Sequence, residues 1–399
     1  MRSDTEVKQV AAELLASKNL CLVSCRPIQT LWAGYGHICQ VKAILGNSSR
    51  PEGNRSLILK HVSPPQTTNP KESTLPDEGH IRKILSYQIE QYFYAHLAPQ
   101  MPSDIAVASC HASINPSSNG GNAIAMLLTD LRGSFPIAGE KRAKLSETQV
   151  YASLAWLAGF HGFWWGRADE VRRIARVEPP LEHFARLGST ILSEDSGVWA
   201  NGGYTYLATR RKEYDELQDD MDTEWSSALC STVGPGGSSV AELAAAFLSS
   251  AAAQVYQTLI HGDVKSENLF TTAKEDAVAF FDFQYIGLGL GVCDLAKLFT
   301  CSVPLGMLVD DEGFRLSKLE MQGGEERLLR AYHEQVQRRS GKVYDWALFT
   351  RHWETALVDW LRFQASWGLW GNSEWLEARV RCILSGKQWL RWLQDTLHE

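Results

Sequence analysis

The chain has 399 residues, 44% of them apolar and 21% charged, with a net charge of −7 and a pI near 5.9. That length can bury a large core and is enough for two lobes. The acidic balance and the absence of any Lys/Arg run argue against a nonspecific nucleic-acid binder, and are compatible with a cationic substrate without requiring one.

No apolar run approaches the ~18 residues of a membrane span, and the first residues lack the apolar core and cleavage site of a signal peptide. The eight cysteines are scattered, with no CxxC pair and no His at metal spacing, as expected of buried free thiols in a reducing compartment. A cytoplasmic protein is expected.

The opening segment reads as a helix, with Ser3 and Glu6 as a capping box and Val7, Val10, Ala11, Leu14 and Leu15 on one face. Leu20 to Ser24 is strand-like. Two alternating stretches between Ile28 and Ile44 flank Gly34-Tyr35-Gly36, the pattern of a hairpin. Its glycines read either as an ordinary tight turn or as a place where backbone N–H groups approach a triphosphate. Ser56 to Val62 is an apolar strand interrupted by Lys60, a residue type that often snorkels at a strand edge. After a polar loop at 63–80, a helix from Ile81 to Leu97 carries Glu90. Ile105 to His111 and Ala123 to Leu128 read as two more strands, joined by a Ser/Asn/Gly turn at 113–122. The sum is an antiparallel sheet of about five strands with one key helix, a first lobe over residues 1–129.

The second lobe, 130–399, opens with a helix capped by Ser146 and running to Trp164. His161 lies on its strongly apolar body and reads as a packed core histidine rather than a catalytic one. Short helices and a loop at Trp199 to Tyr204 follow, then an Ala-rich helix from Ala241 to Thr258. Next come HGDVKSENLF, residues 261–270, and AFFDFQ, residues 279–284. Each pairs an apolar strand with carboxylates at its end, and polar residues 271–276 lie between them. A pair of short strands would hold Asp263, Asn268 and Asp282 at one rim. Trp346, Trp353, Trp360 and Trp367 recur every seven residues, which places them on one helical stripe. That stripe reads as core, or as a partly aromatic pocket for a quaternary ammonium or a flat apolar alcohol.

The trio of Asp263, Asn268 and Asp282 suits phosphoryl transfer. One carboxylate accepts the proton of an attacking hydroxyl, and an Asn and a second Asp hold the magnesium that bridges ATP phosphates. Protein kinases share this Asp-to-Asn spacing in H-R-D-x-x-x-x-N, followed by D-F-G. With Gly262 in place of the Arg and Gln284 in place of the last Gly, the chain resembles the aminoglycoside phosphotransferase superfamily. It is most similar to the choline-kinase-like and ecdysteroid-kinase-like branch, whose Y-x-x-E-x-x-F-Y helix resembles Tyr87 to Tyr94. The resemblance extends from the region of Leu31 to Asp294-Leu295-Ala296.

It implies a two-lobed, protein-kinase-like α+β fold, with an antiparallel-sheet N-terminal lobe, a mainly helical C-terminal lobe and the active site between them. It implies ATP and magnesium as cofactors, Asp263 as the catalytic carboxylate, and Asn268 and Asp282 as metal ligands. Gly34, Gly36, Lys60 and Glu90 would bind the nucleotide, with the backbone of Thr129 to Gly133 at adenine. Lys265 would either neutralise charge on the transferred phosphoryl or face solvent. His261 would be structural, Asp294 would support the catalytic loop, and aromatics of 199–204 would line a substrate cleft. The implied partner is a small-molecule alcohol: choline or another amino alcohol, an aminoglycoside, or a sterol-like alcohol. No nucleic-acid, membrane or protein partner is expected.

Two rivals remain in the sequence, a catalytically inactive nucleotide-binding pseudokinase or scaffold and a protein kinase. About a dozen residues separate Asp282 from Asp294 and no A-P-E follows, so the platform for peptide substrates is missing.

Overall fold

The computed structural model describes residues 4–46, 55–64, 77–115, 124–187, 197–233, 237–310 and 317–398. Ser3 of the expected capping box, most of the polar loop before Ile81 and most of the 113–122 turn lie outside the described residues. The chain divides into two units. The first is Met1–Pro102, Val107–Ser134 and Ala175–Gly197, and the second is Ser103–Ala106, Phe135–Ile174 and Val198–Glu399. This division departs from a boundary at residue 129 in three places: Ser103–Ala106 belongs to the second unit, and residues 130–134 and Ala175–Gly197 belong to the first. For the last of these the reason is packing: the short helix Pro180–Leu187 lies against the helix that carries Glu90.

In the first unit, helix α1 (Asp4–Ala16) places Val7, Ala11, Leu14 and Leu15 on one buried face. That face packs on a five-stranded antiparallel sheet of β1 (Leu20–Thr30), β2 (Gly36–Leu45), β3 (Arg55–Val62), β4 (Cys110–Ile114) and β5 (Ile124–Thr129), in the order β1-β2-β3-β5-β4. The two expected strand segments before the glycine turn are one strand, bulged between Leu22 and Ser24 and again between Pro27 and Gln29. Bulges let a chain containing Pro27 stay paired at a sheet edge. Strand alternation then sorts side chains by face. Cys39, Val41, Ala43, Leu57 and Leu59 join the α1 side, and Val62 joins Leu31, Tyr35, Ile84, Tyr87 and Ile124 on the other. Lys60, two residues from Val62, shares that second face, where α2 (Glu78–Tyr92) lies. The expected helix to Leu97 finishes as a π-helical turn, Phe93–Leu97.

The second unit is mainly helical. Its helix α3 (Glu147–Gly166) begins with a Ser146–Gln149 capping box and buries Leu154, Leu157, Phe160 and Trp164. The Ala-rich segment forms a shorter helix than expected. The helix α4 (Val240–Leu248) ends at Ser249-Ser250, one turn follows at Ala251–Gln254, and Thr258 already belongs to a strand. Serine hydroxyls bond locally to backbone and so favour such breaks: Ser250 Oγ accepts from the Ala253 N–H at 3.2 Å.

Short strands carry the polar loops: β6 (Ile137–Ala138), β7 (Val198–Trp199), β8 (Thr258–Ile260), β9 (Leu269–Thr271), β10 (Val278–Phe280) and β11 (Gly287–Gly289). β9 pairs antiparallel with both β10 and β6, and β11 pairs antiparallel with β8 and parallel with β7. Helices α5 (Gly291–Cys301), α6 (Gly323–Ser340) and α7 (Trp346–Trp367) complete the elements used below. All eight cysteines are free, and Cys21 is exposed rather than buried. Among the described residues no helix is long and apolar enough to cross a membrane.

Candidate active site

In the first unit, Lys60 Nζ lies 2.5 Å from Glu90 Oε2, and the two residues are 5% and 1% exposed. The pair follows from two periodicities. Lys60 faces α2 because β3 alternates, and Glu90 lies one turn beyond Tyr87, whose ring centroid is 5.5 Å from Lys60 Nζ. A Lys buried this deeply needs such a partner, so the snorkelling alternative is set aside.

The glycine turn has a more local explanation. The Gly34 N–H donates to Leu31 O at 3.1 Å and the Tyr35 N–H to Trp32 O at 3.4 Å, which closes the turn on itself. Gly36 has φ +146°, and a Cβ there would stand 2.0 Å from His61 O. Close approach of β2 to β3 therefore accounts for Gly36. Tyr35 is buried, and its hydroxyl pairs with His80 Nδ1. Beyond β5, the Asp130 carboxylate accepts from the Arg132 N–H at 3.2 Å, forming the turn Leu131–Gly133.

In the second unit, the β9–β10 hairpin pairs Leu269 with Phe280, and the Phe281 N–H donates to Asn268 O at 3.0 Å. Residues just before β9 and just after β10 thus sit at one end, which brings Asn268 beside the segment that carries Asp282. Asn268 Nδ2 donates to Asp263 O at 2.8 Å and to Asp263 Oδ2 at 2.9 Å. With the amide nitrogen so used, Asn268 Oδ1 is the atom left to bind a cation. Lys265 Nζ is 3.1 Å from Asp263 Oδ2 and 3.2 Å from Glu267 Oε1. Burial opposes the Lys265 charge, but the Asp263 and Glu267 carboxylates outweigh it and raise the ammonium above its usual value. Lys265 therefore faces the loop's own carboxylates.

Asp282 has φ +66°, a left-handed conformation uncommon outside glycine. Such positions concentrate at functional sites. Gln284 Nε2 donates to Asp282 Oδ1 at 2.6 Å, so the residue that departs from D-F-G turns one oxygen of the carboxylate. Phe283, between them, is fully buried, with its ring centroid 4.6 Å from that of His261.

The loop is braced from beneath. Asp294 Oδ2 accepts from the His261 N–H at 2.7 Å, and its Oδ1 accepts from the Gly262 N–H at 2.9 Å. His161 Nε2 adds a third bond at 3.1 Å, which a carboxylate can only accept, so that nitrogen carries the proton. Burial alone would raise Asp294, yet the bond from His161 and the Lys297 ammonium hold it below its usual range. His261 Nε2 faces Phe281 O at 2.9 Å and must donate, which leaves Nδ1 to accept the Asp263 N–H at 3.2 Å. Burial lowers the His261 pKa. Both ring nitrogens are thus used in holding the loop. Gly262 has φ +84°, and a Cβ there would meet Tyr285 O at 2.4 Å, so an Arg at this place would not fit.

Three features of the site were not drawn from the sequence: the Gln284 bond to Asp282, the Glu267 contact with Lys265, and Lys297. The last had a visible signal, a Lys three residues after Asp294 on an otherwise apolar helix.

Among solved structures, the chain is similar to a protein from Ralstonia eutropha JMP134 assigned as an aminoglycoside phosphotransferase, at 13% identity, 99% coverage of each chain and a TM-score of 0.45. It is also similar to a choline kinase from Streptococcus pneumoniae, at 11% identity over 98% of this chain and 99% of that one, TM-score 0.39. A choline kinase from Cryptosporidium parvum Iowa II matches at 10% identity over 99% and 96%, TM-score 0.40. No curated protein matches the chain significantly. The family model described as a phosphotransferase enzyme family matches residues 50–333. That span covers most of the chain, from the strand that carries Lys60 through Asp263, Asp282 and Asp294 into α6, and the chain therefore belongs to the phosphotransferase enzyme family.

Proposed function

We propose that this protein transfers the γ-phosphoryl group of ATP to a hydroxyl of a small metabolite, with magnesium as the metal. The observation that carries this reading is the hydrogen-bonded pair of Asp263 and Asn268. Asp263 Oδ2 is held by Asn268 and Lys265, and Oδ1 has no partner among the described residues. Oδ1 is then the atom that orients the acceptor hydroxyl and takes its proton. Asn268 Oδ1 and the Asp282 carboxylate fit magnesium, which accepts hard oxygen ligands and keeps other positions for water and phosphate. Bound there, magnesium would neutralise charge on the phosphate oxygens.

Lys60, fixed by Glu90, would bind nucleotide phosphates. The Gly34–Gly36 turn would give backbone shape rather than N–H donors, since two of its N–H groups are committed. Lys265, pulled toward Asp263, would steady that carboxylate. The protein's contribution is positioning and fixed charge. A small alcohol as acceptor is supported by the short connection from Asp282 to α5, which begins at Gly291.

The test is phosphate transfer from ATP with magnesium to pooled small alcohols, read by mass spectrometry, with Asp263→Ala alongside. A gain of one phosphate, absent in the variant, is expected. Tight ATP binding without transfer from a broad pool would instead favour an inactive nucleotide-binding protein.

A further inference from the structure

We propose, building on the kinase reading above, that Lys297 recognises an anionic group on the phosphoryl acceptor. The preferred acceptor is then an alcohol bearing a carboxylate, not an amino alcohol.

Lys297 lies on α5 and is 4% exposed. Among the described residues its ammonium makes no hydrogen bond or ion pair, and it stands over the Trp360 ring, 5.6 Å from the centroid. The stem is buried while the ammonium keeps its hydrogen-bonding capacity unspent, so an acceptor that reaches it would be held. The ammonium also stands close to the loop that bears Asp263. The point where a Cβ on Gly203 would lie is 3.3 Å from Lys297 Nζ and 3.5 Å from the carbonyl oxygen of Gly262, the residue before Asp263.

Protein carboxylates act on this charge only from a distance: Lys297 helps hold Asp294 below its usual range, but among the described residues no carboxylate oxygen bonds to its ammonium. Asp294 and Asp359 both act on the neighbouring Cys293 thiol, as Lys297 does. Asp294 is engaged by His261, Gly262 and His161, and Asp359 Oδ1 is held by Arg362 at 2.7 Å. Two further donors near this wall lack acceptors. Trp360 Nε1 and Gln364 Nε2, one turn apart on α7, are fully buried and unpartnered among the described residues.

The aromatic rings point the same way. A quaternary ammonium would need free ring faces. Here the Arg210 guanidinium stands 5.8, 5.5 and 5.0 Å from the ring centroids of Tyr204, Phe363 and Trp367. Lys297 occupies Trp360 in the same manner. Arg210 is itself paired with Glu213 at 2.8 Å, so the charge left to meet an acceptor is that of Lys297, which would repel a cation and attract an anion.

The test uses three acceptors of one shape: 4-(hydroxymethyl)benzoate, benzyl alcohol and 4-(hydroxymethyl)benzylamine. Binding is measured by calorimetry with magnesium and a non-hydrolysable ATP analogue, and transfer is measured separately with ATP. The benzoate should bind about tenfold or more tightly than benzyl alcohol, with the amine weakest. Lys297→Gln should remove that ranking, Lys297→Arg should keep it, and Lys297→Glu should invert it, each in protein whose unfolding midpoint shows it to be folded.

A wild-type protein that binds none of the three, or ranks the amine level with or above the benzoate, overturns the proposal. So does a ranking that survives Lys297→Gln. If these variants fail to fold, the wild-type ranking decides alone. Benzoate binding without transfer of phosphate to any of the three would count against the kinase reading while leaving the anion site in place.

Discussion

Asp263 has one carboxylate oxygen held by Asn268 and Lys265 and one without a partner among the described residues, and under the proposed function the second takes the proton of the acceptor hydroxyl. Replacing Asp263 by Asn keeps the shape and removes the proposed base. Asp263→Asn should lower kcat by about a hundred- to ten-thousand-fold and leave the KM for ATP nearly unchanged, as steady-state transfer assays would reveal. Gln284 acts through another residue, since its amide fixes one oxygen of Asp282. Under the proposed function Asp282 binds magnesium, and the outer partner of a metal ligand tunes metal affinity. Gln284→Ala should therefore raise the magnesium concentration for half-maximal rate about tenfold, with kcat recovered at saturating metal. A loss of kcat that magnesium cannot restore would contradict this role.

Two elements carry the candidate site, one resting on a close approach of strands and the other on a buried carboxylate. β2 meets β3 at Gly36, where a side chain would strike His61 O at 2.0 Å. Gly36→Ala should destabilise the protein by about 3 kcal/mol, through overpacking and an unfavourable φ. A fall in the urea midpoint would report it, and an unchanged midpoint would show that β2 can shift. The β8-to-β9 connection depends on Asp294, which accepts two backbone N–H groups and one imidazole N–H. Asp294→Ala leaves those donors unpaired in a buried place, a loss of about 3 kcal/mol or more. Asp294→Asn keeps one carbonyl oxygen and should fall between the wild type and the alanine variant in thermal unfolding.

Across the whole molecule, several histidines are held neutral by burial, which sets the pH range of stability. His352 is the strongest case: burial lowers it from 6.5 to about 3, and its Nδ1 pairs with the Tyr344 hydroxyl. An unfolded chain takes up a proton there below pH 6.5, while the folded one does not until about pH 3. Stability is thus present above the unfolded value and falls as pH drops through that window. His352 alone should remove about 2 kcal/mol between pH 6.5 and pH 5. His261, also lowered by burial, acts in the same direction. Urea unfolding at pH 7.5 and pH 5 would test the sign, and His352→Gln should flatten the dependence.

The sequence by itself determined the alternation of the first unit's strands, the capped start of α3, and the order of the residues at Asp263, Asn268 and Asp282. These follow from short-range patterns: period-two burial, a serine cap and fixed spacing within one hairpin. It also placed Lys60 and Glu90 together at the nucleotide through resemblance. Their pairing at 2.5 Å needed the sheet and α2 to meet.

Other features were decided only by tertiary structure. The helix Pro180–Leu187 joined the first unit because it packs on α2. The seven-residue tryptophan stripe proved mixed. Trp353 is fully buried, with its indole N–H on Glu325 at 2.7 Å, while Trp367 is 57% exposed beneath Arg210. A helical stripe fixes direction along one helix, but which of its residues meets core, solvent or a cation depends on distant segments. For the same reason, no local pattern could show that Lys297 would lie beside the loop of Asp263 with no hydrogen bond or ion pair among the described residues.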